Sequence, residues 1–292
     1  MGMDYYDLLP ARHARPSIIP DRARPTGTGL EFEPPMTFTR VIGTVCNFPL
    51  RAIIAACVAL RISPNVLTFT GVVVNVTAAW LLGIGYFWSA GFVMLAANIF
   101  DYIDGKVARE RDRETLFGAF WDSVMDRFSD ITLFIGLIYL YAKADSVRYV
   151  IIASLAMMFS VMTSYTRARA ESMIEKCKVG FMERPERIVL FMIGAFTNRM
   201  AAVLWVILIL SIVTVADRIY FTWRELNGVK ESKKPLVLHV LWRAFFWTDE
   251  RASWPYDLWV IAILAFVWLT PPAWIRDPIA SGRGMIGWLL GW

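Results

Sequence analysis

Charged residues are scarce in this chain, at 19% of its 292 positions, where about 25% is usual for a soluble domain. Cysteine and histidine are rarer still, with three and two copies. Cys46, Cys57 and Cys177 show neither a zinc-binding spacing nor a disulfide framework, and two histidines exclude a His-rich metal site. Hydrophobic residues make up 57% of the chain. This composition excludes a disordered chain and a coiled coil, and it predicts a polytopic membrane protein.

Long uncharged runs predict the membrane helices. Residues 62–100 carry no charge, and this run is about twice as long as one helix needs to cross a core of about 30 Å. A glycine-rich break at 83–91 divides it into spans of about 65–85 and 89–108. A third span begins near Leu116 and includes the uncharged run 131–142, and the fourth, fifth and sixth spans follow from the runs 149–166, 188–197 and 200–216. The run 188–197 is so short that the fifth helix must recruit Glu186, Arg187 and Asn198 at its ends, or it does not span the membrane fully. The sequence thus predicts an all-α bundle of six transmembrane helices over 63–226.

Positive charge alternates between the predicted loops. The N-terminal region up to Arg61, the connection 101–115 and the segment 167–187 are rich in Lys and Arg, whereas the turn 84–90 has none. The positive-inside rule therefore places the N-terminus and the rich loops in the cytoplasm. The net charge of +5 then reflects loop topology, and no nucleic-acid partner is expected.

The two ends of the chain lie outside this bundle. Residues 1–38 are rich in Pro and Arg and are predicted to form an irregular cytoplasmic arm. Residues 39–62 mix arginine with aliphatic residues, which predicts an amphipathic helix in the cytoplasmic interface. Residues 227–292 form a C-terminal extension, in which 258–275 fits either an additional C-terminal membrane helix or an interfacial segment.

Four aspartates lie where the second predicted span ends and the third begins. Asp101 and Asp104 share one face of a helix, and Asp122 and Asp126 share one face of the next. A charge within a membrane helix is costly and marks a functional site by default. Converging carboxylates repel one another unless they are protonated or bound to cations, and oxygen ligands suit Mg²⁺, Mn²⁺ or Ca²⁺. Two such pairs can hold two divalent ions, an arrangement suited to phosphoryl chemistry.

These aspartates belong to a longer motif that resembles the signature of the CDP-alcohol phosphatidyltransferases, D-x2-D-G-x2-A-R-x8-G-x3-D-x3-D. All its fixed positions are met, by Asp101, Asp104, Gly105, Ala108, Arg109, Gly118, Asp122 and Asp126. The resemblance covers residues from about 50 to 226. It implies six membrane helices, a homodimer, and an active site on the cytoplasmic side of the prokaryotic cytoplasmic (inner) membrane.

The resemblance also implies a role for each motif residue. Two Mg²⁺ or Mn²⁺ ions would be bound by Asp101, Asp104, Asp122 and Asp126. Asp126 would also be the base that takes the proton of the acceptor hydroxyl, although a metal can itself lower the pKa of that hydroxyl. CDP-diacylglycerol would contact Asn65, Thr68, Asp104, Gly105, Ala108, Arg109, Gly118 and Asp122. For Asn65 and Thr68, local capping of a helix is an equal alternative.

Arginines at three predicted helix ends indicate a phosphorylated acceptor. They are Arg167, Arg184, Arg187 and Arg218. Arginine holds phosphate by paired hydrogen bonds, although the positive-inside rule alone also predicts arginine at these edges. The surrounding stretches resemble prokaryotic phosphatidylinositol phosphate synthases and their archaeal counterparts. That resemblance implies that Arg167, Arg187 and Arg218 hold the phosphate of inositol 1-phosphate, and spacing does not separate Arg184 from Arg187.

Other functions fit parts of the pattern. Glycerol 3-phosphate also carries a phosphate, so phosphatidylglycerophosphate synthase is the alternative enzyme. Intramembrane Asp and Arg also mark transporters, but the sequence has no internal repeat and its charges cluster at helix ends. A non-catalytic scaffold has no use for four unpaired carboxylates. We therefore predict a membrane transferase that moves a phosphatidyl group from a CDP-lipid to a phosphorylated polyol and releases CMP.

Overall fold

The computed structural model describes residues 53–60, 62–110, 115–228 and 254–280, with side chains of the last range described from 259 onward. All regular secondary structure in these ranges is helical. The helices are α1 (Pro64–Gly83), α2 (Phe87–Glu110), α3 (Leu116–Lys143), α4 (Val147–Ala170), α5 (Arg184–Thr197), α6 (Met200–Leu226), α7 (Trp254–Leu269) and α8 (Pro272–Ile275). Residues 53–59 are helical as well.

The helices that were predicted from uncharged runs are present. The bounds of α1 and α2 differ from the predicted ones by no more than about two residues, and α3 begins at Leu116 as predicted. The short fifth helix does recruit charged residues, because α5 begins at Arg184 and ends against Asn198, whose φ of 53° is left-handed. Its 14 residues cover about 21 Å.

Three of the helices, α1, α4 and α6, are long and apolar enough to cross a membrane by length and composition. Helices α2 and α3 are longer than α1, but they carry the aspartates and arginines of the motif. Large apolar side chains such as Phe69, Trp80 and Ile135 are exposed on the outer surface. A chain with these features is an integral membrane protein.

The six helices α1 to α6 pack as one bundle. Helix α1 lies against α2 and α3, α4 lies against α3 and α6, and α5 lies against α2 and α6. A Cβ on Gly136 would collide with the carbonyl of Ala79, so glycine is what allows α1 and α3 to approach closely there. Because lipid is as apolar as these side chains, close packing holds membrane helices together more than removal from water does. The parallel α1–α3 contact aligns the starts of these two helices beside the end of α2.

The N-terminal predictions are only partly covered by the structure. Of the amphipathic helix predicted over 39–62, residues 53–59 are helical, and Ile54 and Cys57 pack against Ile103 and Val107 of α2. The rest of that helix up to residue 52, together with the arm over 1–38, lies outside the described residues.

The C-terminal extension packs along the bundle. Val260 and Ile263 of α7 share an apolar groove with Phe181 and Pro185 at the end of the bundle where α5 begins. At the opposite end, Arg199 donates a hydrogen bond to the carbonyl of Thr270 (3.2 Å), and the Tyr149 hydroxyl donates to the carbonyl of Ile275 (2.7 Å). Helix α7 therefore runs from one end of the bundle to the other rather than lying across one end of it.

Candidate active site

Three carboxylates converge where α2 ends and α3 begins. One oxygen each from Asp101, Asp122 and Asp126 lies within 4.8 Å of the others. Asp122 and Asp126 are one helical turn apart on α3, and the packing of α2 against the bundle adds Asp101. Three hard oxygen donors with three negative charges fit a divalent cation, which would relieve their repulsion.

Asp104 lies one turn beyond Asp101 and does not belong to this group of three among the described residues. Its Oδ2 instead accepts a hydrogen bond of 2.6 Å from the Thr68 hydroxyl of α1. Both side chains are buried. The Asp104 carboxylate is thus held by α1 next to the cluster, and Thr68, singled out from the sequence, contacts the acidic motif directly.

The two glycines of the motif lie near the end of α2, at Gly105, and near the start of α3, at Gly118. The backbone N–H of Gly118 donates to the N-cap Thr115 hydroxyl at 2.9 Å. A Cβ on Gly118 would lie 3.9 Å from Asn65 Oδ1 of α1. A Cβ on Gly105 would have only the end of the Arg109 side chain within 4 Å. A ligand can therefore approach the backbone closely at Gly105, whereas at Gly118 the Thr115 hydroxyl lies only 3.0 Å from the position of a Cβ.

Arg184 reaches into the acidic cluster from the start of α5. Its guanidinium forms ion pairs of 3.0 Å with Asp101 and of 3.0 Å with Asp126. The sequence could not separate Arg184 from Arg187, but the structure does. Arg184 contacts two of the clustered aspartates closely and lies 3.9 Å from Asp130, whereas Arg187 is paired with Asp130, which lies one turn deeper on α3.

A cavity of about 160 Å³ adjoins Asp126 and is lined mainly by charged residues. It lies where the end of α4, the start of α5 and the end of α6 meet α3. Its lining comprises Asp126, Arg127, Asp130, Thr163, Ser164, Arg167, Glu183, Arg184, Pro185, Arg187 and Arg218. All four arginines that the sequence singled out are in this lining. An anion can therefore be held by several guanidinium groups beside the carboxylates.

Arg187 and Arg218 are almost fully buried in the cavity wall, with 1% and 2% of their surface exposed. Arg187 donates to Asp130 and, at 3.1 Å, to the Thr163 hydroxyl. Arg218 donates to the carbonyl oxygens of Thr163 and Val179 and, at 3.3 Å, to Glu183. These bonds hold both guanidinium groups in place without a ligand.

Arg167 lies nearer the cavity mouth. Its side chain is 34% exposed, and it forms ion pairs with Glu183 at 2.9 Å and with Glu171 at 3.1 Å. Glu183 therefore joins Arg167 of α4 to Arg218 of α6. Glu183 itself directly precedes α5, so its carboxylate connects the start of α5 with the ends of α4 and α6 around the cavity.

Sequence reasoning missed several residues of this site. Asp130 continues the face of Asp122 and Asp126 by one more turn, so extending that face along α3 could have found it. Thr163 lies within a run that was assigned only as apolar span, and nothing local marks it. Glu183 was noted only as part of a basic stretch, because its pairing with Arg167 and Arg218 depends on three helices meeting.

Residues 61–222 match the model of the CDP-alcohol phosphatidyltransferase family. The chain belongs to this family. The CDP-alcohol phosphatidyltransferase match covers the described bundle almost from end to end and leaves α7 and α8 outside it. The protein is therefore an enzyme, a transferase, and membership favours this over the transporter and the scaffold that the acidic cluster alone also allowed.

Named relatives in the family are close enough to compare in detail. The archaetidylinositol phosphate synthase of Methanothermobacter thermautotrophicus is 32% identical over 58% of this chain and 87% of its own. The phosphatidylinositol phosphate synthase of Mycobacterium bovis is 32% identical over 60% of this chain and 85% of its own.

Solved structures of the Mycobacterium tuberculosis phosphatidylinositol phosphate synthase have the same fold. The form with CDP-DAG bound matches with a TM-score of 0.58 at 28% identity, covering 63% of this chain and 98% of that one. The form with manganese and citrate matches with a TM-score of 0.56 at 27% identity, covering 64% and 94%. Together with the converging carboxylates, the manganese form indicates that this family site uses divalent metal.

Proposed function

We propose that this protein transfers the phosphatidyl group of CDP-diacylglycerol to inositol 1-phosphate and releases CMP. The observation that carries the proposal is the arginine-lined cavity directly beside the Asp101–Asp122–Asp126 cluster. A neutral alcohol would not need these four arginines, whereas a phosphorylated polyol would. The named relatives, an archaetidylinositol phosphate synthase and a phosphatidylinositol phosphate synthase, support the same acceptor.

The CDP-lipid is proposed to bind on the side of the cluster formed by α1, the end of α2 and the start of α3. The contacting residues would be Asn65, Thr68, Asp104, Gly105, Ala108, Arg109, Gly118 and Asp122. The hydrogen bond between Thr68 and Asp104, and the position of Asn65 near Gly118, support one continuous site. The CDP-DAG-bound relative supports the identity of this donor.

Two Mg²⁺ or Mn²⁺ ions are proposed to be held by Asp101, Asp104, Asp122 and Asp126. Divalent metal there would neutralise the charge that grows on the leaving CMP. Asp126 lies on the cavity side of the cluster, so its carboxylate is the candidate base for the acceptor hydroxyl. The hydroxyl proton would move to Asp126 while the hydroxyl oxygen attacks the phosphorus bound to diacylglycerol, and the bond from that phosphorus to CMP breaks.

The acceptor phosphate is proposed to be held by Arg167, Arg187 and Arg218. Arg187 and Arg218 are already oriented by protein contacts, which lowers the entropy that binding must overcome. Arg184, the competing candidate, is engaged by Asp101 and Asp126, so we assign it to the junction between cluster and cavity.

The proposed setting is a homodimer in the cytoplasmic membrane of a prokaryote, with α1 to α6 as six spans. The N-terminus, the aspartates and the cavity would face the cytoplasm, because lysine and arginine are concentrated in the loops at that end. Helix α7 would cross as a seventh span, since Val260 shares a groove with Phe181 and Pro185 near the start of α5 while Thr270, just after α7, contacts Arg199 beyond the end of α5. Membrane lipids would then contact the exposed apolar surface.

The acceptor is tested by CMP release from CDP-diacylglycerol by purified protein in the presence of Mg²⁺. We expect release with inositol 1-phosphate and little release with free inositol or glycerol 3-phosphate. The cavity chemistry also suits glycerol 3-phosphate, so release with that acceptor alone would identify a phosphatidylglycerophosphate synthase. Equal release with free inositol would contradict the role of the arginines.

Removal of divalent metal is expected to lower transfer by at least about a hundredfold, since metal supplies several kcal/mol of charge stabilisation in such sites. The measurement is CMP release after exhaustive chelation and dialysis. Adding back Mg²⁺ or Mn²⁺ should restore the rate, with Ca²⁺ as the comparison ion. Undiminished turnover by metal-free protein would rule out the metal assignment.

A further inference from the structure

Thr163, near the end of α4, contacts two arginines of the cavity at once. Its hydroxyl accepts a hydrogen bond from Arg187 of α5 at 3.1 Å, and its backbone carbonyl accepts one from Arg218 of α6. Only 1% of Thr163 is exposed, although it contributes to the cavity lining. One buried residue thus joins guanidinium groups that two other helices supply.

The direction of the hydrogen bonds at the Thr163 hydroxyl is determined. A hydroxyl has one proton to donate, and that of Thr163 is donated to the carbonyl of Ser160 at 2.7 Å. The lone pairs are then left to accept from Arg187, whose guanidinium can only donate. The hydroxyl therefore favours one orientation of Arg187 and cannot serve as a donor to a ligand at the same time.

Arg187 has one nitrogen left over after these contacts. Its two terminal nitrogens bond to Thr163 and Asp130. Its Nε is buried and has no hydrogen-bond partner in the described part of the chain. A buried donor without a partner is costly, and a bound phosphate oxygen would satisfy it. The contact with Thr163 orients the guanidinium group of Arg187 and therefore its Nε–H.

We propose that Thr163 is a positioning residue that sets the orientation of Arg187, and its distance from Arg218, for the phosphate of the acceptor. It acts through the arginines and does not itself bind substrate. This inference deepens the proposed function and rests on it for the presence of a phosphorylated acceptor. It does not depend on which phosphorylated polyol is used.

The test is Thr163→Val, which keeps the shape and the backbone carbonyl but removes the hydroxyl. We expect the KM for the acceptor to rise at least about tenfold, the usual effect of losing a hydrogen bond to a charged group. The kcat should change by less than about threefold, and the KM for CDP-diacylglycerol should not change. Thr163→Ser, which retains the hydroxyl, should restore the acceptor KM to near the wild-type value.

Thr77→Val is the matched control. Thr77 lies on α1, its exposed hydroxyl donates to the Val73 carbonyl of its own helix at 3.2 Å, and it is outside the cavity lining. This variant should keep the wild-type KM for both substrates. If Thr163→Val elutes as an aggregate from size-exclusion chromatography in detergent, the smaller Thr163→Ala is assayed in its place with the same expectation.

Two results would overturn the inference. One is a wild-type acceptor KM in the folded Thr163 variant. The other is an equal rise in KM for both substrates, or in both threonine variants, which would indicate a structural role only. The wild-type assay distinguishes failure of the inference about Thr163 from failure of the proposed function. If the wild-type protein uses glycerol 3-phosphate, the proposed acceptor is wrong. The KM of the Thr163 variants for glycerol 3-phosphate then tests the inference in the same way.

Discussion

Asp126→Asn is expected to lower phosphatidyl transfer by at least about 1,000-fold, about 4 kcal/mol, and Asp122→Asn by a similar factor. Both carboxylates lie within 4.8 Å of each other and of Asp101. An asparagine keeps the shape but removes a negative charge and adds N–H donors, which repel a cation. At Asp126 the substitution also removes the candidate base.

CMP release by each purified variant measures this effect, with elution from size-exclusion chromatography in detergent as the check on folding. Asp145→Asn is the matched control. Asp145 is exposed at the other end of the bundle, in the turn before α4, and its φ of 50° suits asparagine. That variant should retain full activity. Substantial turnover by well-folded Asp126→Asn protein would show that this aspartate is not part of the catalytic site.

Arg187→Met is expected to destabilise the protein by up to about 3–5 kcal/mol, because it removes the close ion partner of the buried Asp130 carboxylate and leaves only Arg184, at 3.9 Å. Only 1% of Arg187 is exposed, so little water can replace the lost contact. The same change removes a proposed phosphate ligand and should raise the acceptor KM steeply. Stability and function are therefore lost together in the single variant.

The double variant Arg187→Met, Asp130→Leu separates the two effects. Replacing a whole buried ion pair with apolar side chains is often neutral or stabilising, so thermal unfolding in detergent should return to near the wild-type temperature. Use of the acceptor should not return. Arg224→Met, which alters an exposed pair with Glu225, should cost less than about 1 kcal/mol. Recovery of acceptor use in the double variant would argue against Arg187 as a phosphate ligand.

Most of the bundle could be predicted from the sequence because its signals are local. Uncharged runs and glycine breaks predict where α1 and α2 begin and end, and these bounds agree to within about two residues. The acidic motif could be predicted equally well, since the spacing of Asp122 and Asp126 alone puts them on one face of a helix. The family match over residues 61–222 then confirmed the membership that this motif indicated.

For the C-terminal extension, such local signals do not determine how the segment is placed. Residues 258–275 are apolar enough for a span or for an interfacial helix, and composition cannot choose between them. The orientation of α7 depends on contacts with residues far away in sequence, such as the bond from Tyr149 to the carbonyl of Ile275. Those contacts exist only once the bundle has formed.

The helices, the acidic motif, the family and the arginines at three helix ends could all be predicted from the amino-acid sequence alone. Each depends on spacing within one segment or on composition. Helix packing, by contrast, brings Arg184 to Asp101 and Asp126, pairs Arg187 with Asp130, and lets Thr163 connect Arg187 to Arg218. These partners lie on different helices, so their pairing depends on how α3, α4, α5 and α6 pack and not on any spacing along the chain.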